Sequence, residues 1–124
     1  MRFLMMHRLD ERAPEAWNPS QEFIERMGAF IQDSIDKGIL ITAEGVLPSE
    51  KGALVRKARG AAITATDGPF TEAKEVIGGY AILEAKSKEE AIEHTRRFLK
   101  VHGDEWDLEC EVRQLDGPDS GGEA

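Results

Sequence analysis

The stretch IGGYAILEAKSKEE, residues 77–90, contains the two local signals from which the fold of this chain can be inferred. Its first nine residues, Ile77 to Ala85, are rich in aliphatic and aromatic side chains and predict a β-strand. Ser87 and Glu90 then have the spacing of a capping box, in which the two side chains satisfy each other's terminal backbone donors. The stretch therefore predicts a strand that leads directly into a helix.

The first part of the chain has the same order of elements. Arg2 to Leu9 predicts a strand, and Asp10 to Trp17 a loop. Asn18 fits the N-cap of a helix and Pro19 its first position, while Gly38 fits the left-handed residue that ends it. The apolar residues of this helix recur at helical spacing and form one stripe, made of Phe23, Met27, Phe30, Ile31 and Ile35.

Four more segments predict strands, at residues 39–47, 53–58, 61–66 and 108–115. The complete order predicts an α+β protein with the ferredoxin-like split βαβ plan, in which both helices cover one face of an antiparallel sheet. We expect one domain over residues 1–115. Residues 116–124 are expected to be a disordered tail, since they include no apolar residue before the last.

The composition is typical of a soluble globular domain, with 124 residues, 40% hydrophobic and 32% charged. Sixteen basic and 24 acidic side chains give a net charge of −8, which disfavours nucleic acid and anionic membranes as partners. No apolar run is long enough for a membrane span or a signal peptide. The single cysteine excludes an internal disulfide, and we expect a cytoplasmic protein.

The central strands are apolar on both faces, because Phe3 and Met5 alternate with Leu4 and Met6. Two helices cover only one face of such a sheet. The pattern therefore predicts a homodimer in which two sheets meet, forming a dimeric α+β barrel. The alternative is that the loop 10–17 and the strand 53–58 of the same chain cover the second face.

The segment DGPFTEAKE, residues 67–75, is the best candidate for chemistry. In one interpretation Asp67 accepts backbone N–H groups two or three residues further on, and the rigid turn delivers Phe70 into the core. In the other, the turn holds Glu72, Lys74 and Glu75 at the mouth of a cleft. Mixed charges there would perturb each other's pKa values and serve in acid–base chemistry.

Gly78 and Gly79 leave space at the start of a strand, where a dimer partner or a ligand can lie over bare backbone beside the Tyr80 hydroxyl. His7 shares an apolar strand face, and it is either a core histidine or a proton-transfer group that faces a cavity. The candidate catalytic residues are thus His7, Asp67, Lys74 and Tyr80, and the candidate ligand-binding residues are Glu72, Glu75, Gly78 and Gly79.

Other polar residues are expected to play no catalytic part. His94 is predicted to be solvated, His102 to lie in the loop after the second helix, and Cys110 to be buried and inert. The histidines lack metal-ligand spacing, and no phosphate loop or dinucleotide motif is present, so no metal and no cofactor are expected. The basic cluster at 56–59 suits an anionic ligand or a solvated turn.

The segment 67–75, followed by Gly78-Gly79-Tyr80, resembles the DGPF-motif branch of the YCII-related protein family, and the likeness covers residues 1–115. This resemblance implies a dimeric ferredoxin-like α+β barrel. It also implies a sigma-factor partner, as for some members. A His–Asp pair that has been suggested as catalytic in relatives has no counterpart here, because Met27 stands where they have the histidine.

Three classes of function remain open. The first is a small-ligand-binding or accessory domain, for which a sigma factor is one candidate partner. The second is a small acid–base enzyme of the isomerase or cofactor-free oxygenase type, with a cleft near the turn at 67–70. The third is a structural dimer without a ligand. We expect the first, since the sequence shows no catalytic constellation.

Overall fold

The computed structural model describes residues 1–16 and 18–117. The regular elements are β1 (Arg2–Leu9), α1 (Gln21–Asp36), β2 (Leu40–Gly45), β3 (Ala53–Arg56), β4 (Thr64–Asp67), β5 (Val76–Glu84), α2 (Lys88–His102) and β6 (Leu108–Gln114). Short 3-10 turns lie at Pro14–Ala16 and Ser49–Lys51. Trp17 and most of the predicted tail, residues 118–124, lie outside the described residues.

The main sheet has four antiparallel strands in the order β2-β5-β1-β6. Both helices pack on one of its faces, which confirms the predicted α+β, ferredoxin-like architecture. Over the described ranges, neither helix is long and apolar enough to cross a membrane.

The core lies between this covered face and the helices. Phe3 pairs with Leu83, and Met5 pairs with Ala81, on the adjacent strands β1 and β5. All four side chains are buried, and Ala91 of α2 packs against them. The opposite face of the same strands is open, and its centre is formed by two further register pairs, Leu4 with Ile82 and Met6 with Tyr80.

The starts of the two helices follow from local hydrogen bonds. The N-cap of α1 is Ser20 rather than the predicted Asn18, because the Ser20 hydroxyl accepts the Phe23 amide (3.1 Å) and so satisfies a first-turn donor. The predicted cap of α2 is confirmed, since Ser87 Oγ accepts the Glu90 amide (3.1 Å). The Glu90 carboxylate accepts the amide of Lys86 (3.3 Å) rather than that of Ser87.

Strands β3 and β4 form a hairpin of their own that does not join the main sheet. All eight residues of the two strands are exposed. The alternative that residues 53–58 cover the second face of the sheet is therefore not what the structure shows.

Candidate ligand-binding cavity

A cavity of about 290 Å³ lies between the two helices and the covered face of the sheet. Its walls are mainly apolar and aromatic, and include Met5, Phe23, Met27, Phe30, Phe98 and Trp106. Four residues of the predicted apolar stripe of α1 border this space and are half-buried: Phe23, Met27, Phe30 and Ile31. The fifth, Ile35, lies outside the cavity and is 49% exposed. The one buried residue of α1 is Ser34, whose hydroxyl donates to the Phe30 carbonyl (2.8 Å).

All three histidines of the chain line this cavity: His7 from β1, and His94 and His102 from α2. The predictions for the two helical histidines are wrong. His94 is 5% exposed rather than solvated, and His102 is the last residue of α2 and 8% exposed. Spacings of four residues place His94, Phe98 and His102 on one helical face, which packs toward the sheet.

His102 is held in one tautomer. Its Nδ1 lies 3.0 Å from the carbonyl oxygen of Phe98, so Nδ1 carries the proton and donates. Its Nε2 is then the acceptor in the neutral ring. Burial lowers the pKa of His102, and the bond to Phe98 offsets part of that shift. The ring packs against Phe98 (4.8 Å), Phe23 (5.1 Å) and Trp106 (5.2 Å between centroids).

His94 has an unsatisfied nitrogen. Its ring stacks on Phe30 with centroids 5.1 Å apart and an interplanar angle of 23°. Nδ1 is buried and has no hydrogen-bond partner among the described residues. Burial, and to a lesser extent Arg97, lowers the pKa of His94. A buried polar atom without a partner is unusual and requires an explanation.

His7 occupies the space left by the glycine pair. The pairing of β1 with β5 shifts between His7, opposite Gly79, and Arg8, opposite Ile77, so Gly78 is the extra residue of a β-bulge. A methyl group at Gly78 would lie 2.8 Å from His7 Nε2. One at Gly79 would lie 2.7 Å from His7 Cε1. Within one chain, the group that lies over the bare backbone is therefore the imidazole of His7.

The environment of His7 favours its neutral form. Burial lowers the pKa of His7, and the neighbouring His102 lowers it further. The ring also packs near Phe98, with centroids 5.6 Å apart. Tyr80 and Glu44, which pair in register on β5 and β2, also border this cavity.

The turn at 67–70 is held by acceptor groups from residues 49–52. The Gly68 amide donates to the Gly52 carbonyl (2.9 Å), and the Phe70 amide donates to Ser49 Oγ (2.8 Å). The Ser49 amide and hydroxyl both donate to the carboxylate of Glu11. A methyl group at Gly68 would lie 1.7 Å from the Ser49 carbonyl oxygen, so only glycine fits there.

The predicted structural role of Asp67 is thus wrong. Over residues 1–16 and 18–117, its carboxylate makes no hydrogen bond, and Ser49 takes the role of acceptor for the turn. Ser49 and Glu11 are 38 residues apart, and no local pattern links them.

The eight predicted site residues fall into two groups. His7 lines the cavity, and Gly78 and Gly79 lie directly beneath its ring. Tyr80 also borders the cavity, although it pairs with Met6 on the open face of the sheet. Asp67, Glu72 and Lys74 are exposed, Glu75 is half-buried, and none of these four lines the cavity. Within one chain, the predicted cleft of His7, Asp67, Lys74 and Tyr80 is therefore not formed, because the turn at 67–70 is anchored beside Ser49.

The remaining polar side chains bear on metal binding and on thiol chemistry. The part of the chain that the structure describes contains no group of three His, Cys, Asp or Glu side chains arranged to hold a metal ion. Cys110 is half-buried, and burial, followed by the charge of Glu109, raises the pKa of its thiol to about 11. The thiol is therefore protonated at neutral pH, as expected for an inert cysteine.

Fold and cavity together define a small α+β domain with a ferredoxin-like sheet and a histidine-lined apolar pocket under its helices. Residues 1–102 match the YCII-related domain family, and the chain belongs to that family. No curated protein matches the chain.

Proposed function

We propose that this protein binds a small, uncharged, largely aromatic molecule in the cavity lined by His7, His94 and His102. The observation that carries the proposal is the cavity itself, since its aromatic walls surround space that the protein does not fill. Its volume lies near the lower end of the range for ligand pockets, which is roughly 300–1,000 Å³. The flat rings of Phe30, Phe98 and Trp106 suit a planar molecule.

The charge state of the walls sets the class of ligand. The pKa of each histidine is lowered, so all three rings are neutral at pH 7 and above. Neutral imidazoles offer hydrogen bonds without a positive charge, and the described residues that border the cavity include no Lys or Arg. These features favour a neutral molecule with hydrogen-bonding groups over an anion.

We also propose that the protein acts as a homodimer in which the open faces of two sheets meet. The centre of this face is apolar, with Leu4, Met6 and Ile82 beside the partly exposed Tyr80. An accessory role with a sigma factor is supported only by the resemblance that the motif at 67–75 carries, and a cytoplasmic location only by the single cysteine and the lack of a long apolar run.

An acid–base enzyme is the second candidate function, on the evidence of His102. Its hydrogen bond to Phe98 leaves Nε2 unprotonated and therefore basic, beside a second neutral imidazole on His7. A base of this kind removes a proton from a carbon acid bound in the cavity and returns it. His7 and His102, rather than Asp67 and Lys74, would then do the chemistry.

The binding proposal is tested by ligand-observed NMR with a library of neutral aromatic fragments. Met27→Trp places a large ring in the cavity and should abolish the binding of fragments. Ile24→Trp, on the exposed side of the same helix, is the matched control and should leave it unchanged. An absence of bound fragments, or equal binding to both variants, would contradict the proposal.

The same fragments separate binding from catalysis. Those with an acidic C–H bond are incubated with the protein in D₂O, and deuterium incorporation is followed by NMR. Exchange that is faster with the wild type than with His7→Gln or His102→Gln favours the enzyme. Binding without exchange favours the binding domain.

A further inference from the structure

Exposed apolar side chains are concentrated in one part of the molecule. Among the described residues, ten large hydrophobic side chains are exposed, and eight of them lie between positions 41 and 80. The other two, Ile24 and Ile35, are on α1. The concentration surrounds the β3–β4 hairpin, which we refer to as the arm, residues 51–67.

The arm is not covered on either side. Leu54 and Val55 are consecutive residues of β3 and so point to opposite faces, and they are 49% and 70% exposed. Ile63, next to β4, is 65% exposed. A two-stranded hairpin without further packing is marginally stable in water, so apolar side chains on both faces indicate that another surface covers them.

The base of the arm is anchored to the body of the chain. The Gly68 amide donates to the Gly52 carbonyl, and the Phe70 amide donates to the Ser49 hydroxyl. Ser49 in turn donates to the carboxylate of Glu11, in the loop after β1. The arm is therefore presented in a defined direction.

The charges of the arm and of the rest of the chain are opposite. The arm carries four basic residues, Lys51, Arg56, Lys57 and Arg59, and one acidic residue, Asp67, a net charge of +3. The remaining residues include 12 basic and 23 acidic side chains, a net charge of −11. None of the four arm cations forms a salt bridge within the described residues.

We propose that the arm docks on the acidic body of a second copy of this chain, in a reciprocal contact between two protomers. Its apolar side chains and its four cations complement a surface that this chain itself supplies, and two-fold symmetry forms the contact twice. This inference rests on the homodimer proposed above and adds a contact outside the open sheet face. A nucleic acid partner would be repelled by the body.

The test measures the dimer dissociation constant by sedimentation at several concentrations. Leu54→Asp on the arm is compared with Ile24→Asp on α1, because both side chains are 49% exposed and neither change disturbs a buried group. We expect Leu54→Asp to raise the dissociation constant at least tenfold and Ile24→Asp to leave it unchanged. A double charge reversal, Arg56→Glu with Lys57→Glu, should weaken the dimer in the same way.

The possible results are distinguishable. A wild-type chain that stays monomeric at high micromolar concentration overturns both the arm contact and the homodimer, while leaving the cavity proposal intact. A stable dimer that is unaffected by the Leu54 and the charge variants overturns the arm contact alone. If Leu54→Asp does not fold, amide exchange of the wild-type arm decides the question, because docking must protect residues 53–67 more strongly as concentration rises. Amide protection of the arm that is independent of protein concentration overturns the proposal. Binding of nucleic acid by the wild type that is lost when Arg56 and Lys57 are replaced overturns it as well.

Discussion

At the scale of single residues, the ring of His7 explains the glycine pair. A methyl group at Gly79 would lie 2.7 Å from His7 Cε1 and 2.8 Å from the Glu44 carbonyl oxygen. The second neighbour is backbone and cannot move aside. Both glycines are thus required inside one chain, because the imidazole of His7 packs directly on the backbone of β5 and, at Gly79, the backbone of β2 is also close.

Gly79→Ala should therefore destabilise the fold by about 1–3 kcal/mol, as overpacking of a core does. Gly28→Ala is the matched control, since Gly28 lies within α1 and a methyl group there meets nothing within 4 Å. That change should stabilise the fold by about 0.5–1 kcal/mol through helix propensity. Urea unfolding of both variants measures the two effects, and a neutral Gly79→Ala would show that the bulge adapts.

His94 offers a second prediction at this scale. Its Nδ1 is buried without a partner, so His94→Phe should raise the free energy of unfolding by about 1 kcal/mol. The same change should weaken fragment binding, because it removes a hydrogen-bonding group from the cavity wall. Chemical denaturation and ligand-observed NMR measure the two quantities. A variant that is less stable than the wild type would show that Nδ1 contributes favourably to folding.

At the scale of elements, local signals in the sequence predicted most of the fold. Interactions over a few residues mark the ends of the helices. Ser87 caps the start of α2 by accepting the Glu90 amide, and Gly38, with a positive φ of 74°, follows the end of α1. The site was less predictable, because the burial of His94 depends on its packing against Phe30 of the other helix. The sequence did contain one signal for this burial: His94 lies four residues before the apolar Phe98, a spacing that places both side chains on one face of α2.

The anchor of the turn at 67–70 gives the prediction that belongs to this scale. Ser49→Ala removes the acceptor of the Phe70 amide and leaves the Glu11 carboxylate without that hydroxyl. We expect a loss of about 1–3 kcal/mol in the free energy of unfolding. Asp67→Ala should change it by less than about 0.5 kcal/mol, since that side chain is exposed and makes no hydrogen bond in the described residues. Equal losses for both variants in urea unfolding would restore the structural role of Asp67.

At the scale of the whole molecule, three neutral histidines couple stability to pH. Each has a pKa below the ordinary value of 6.5, so the unfolded chain binds more protons than the folded chain in acid. Their stabilising contribution is present above pH 6.5 and is lost as the pH falls through the lowered folded values. Urea unfolding between pH 8 and pH 5 should show this decrease, and His94→Phe should reduce its slope. A stability that is constant over this range would contradict the neutral, buried state of the rings.

The two faces of the sheet separate ligand binding from assembly. Ile82 lies at the centre of the open face, whereas the cavity lies on the opposite, covered face. Ile82→Lys would place a charge at the proposed contact between two sheets, so the chain should sediment as a monomer at concentrations where the wild type is dimeric. Fragment binding should persist, because no residue of the cavity wall changes. Ile92→Lys, also half-buried but on α2, is the control and should remain dimeric. If Ile82→Lys stays dimeric, the open faces do not meet; if the folded monomer no longer binds fragments, the second chain contributes to the cavity.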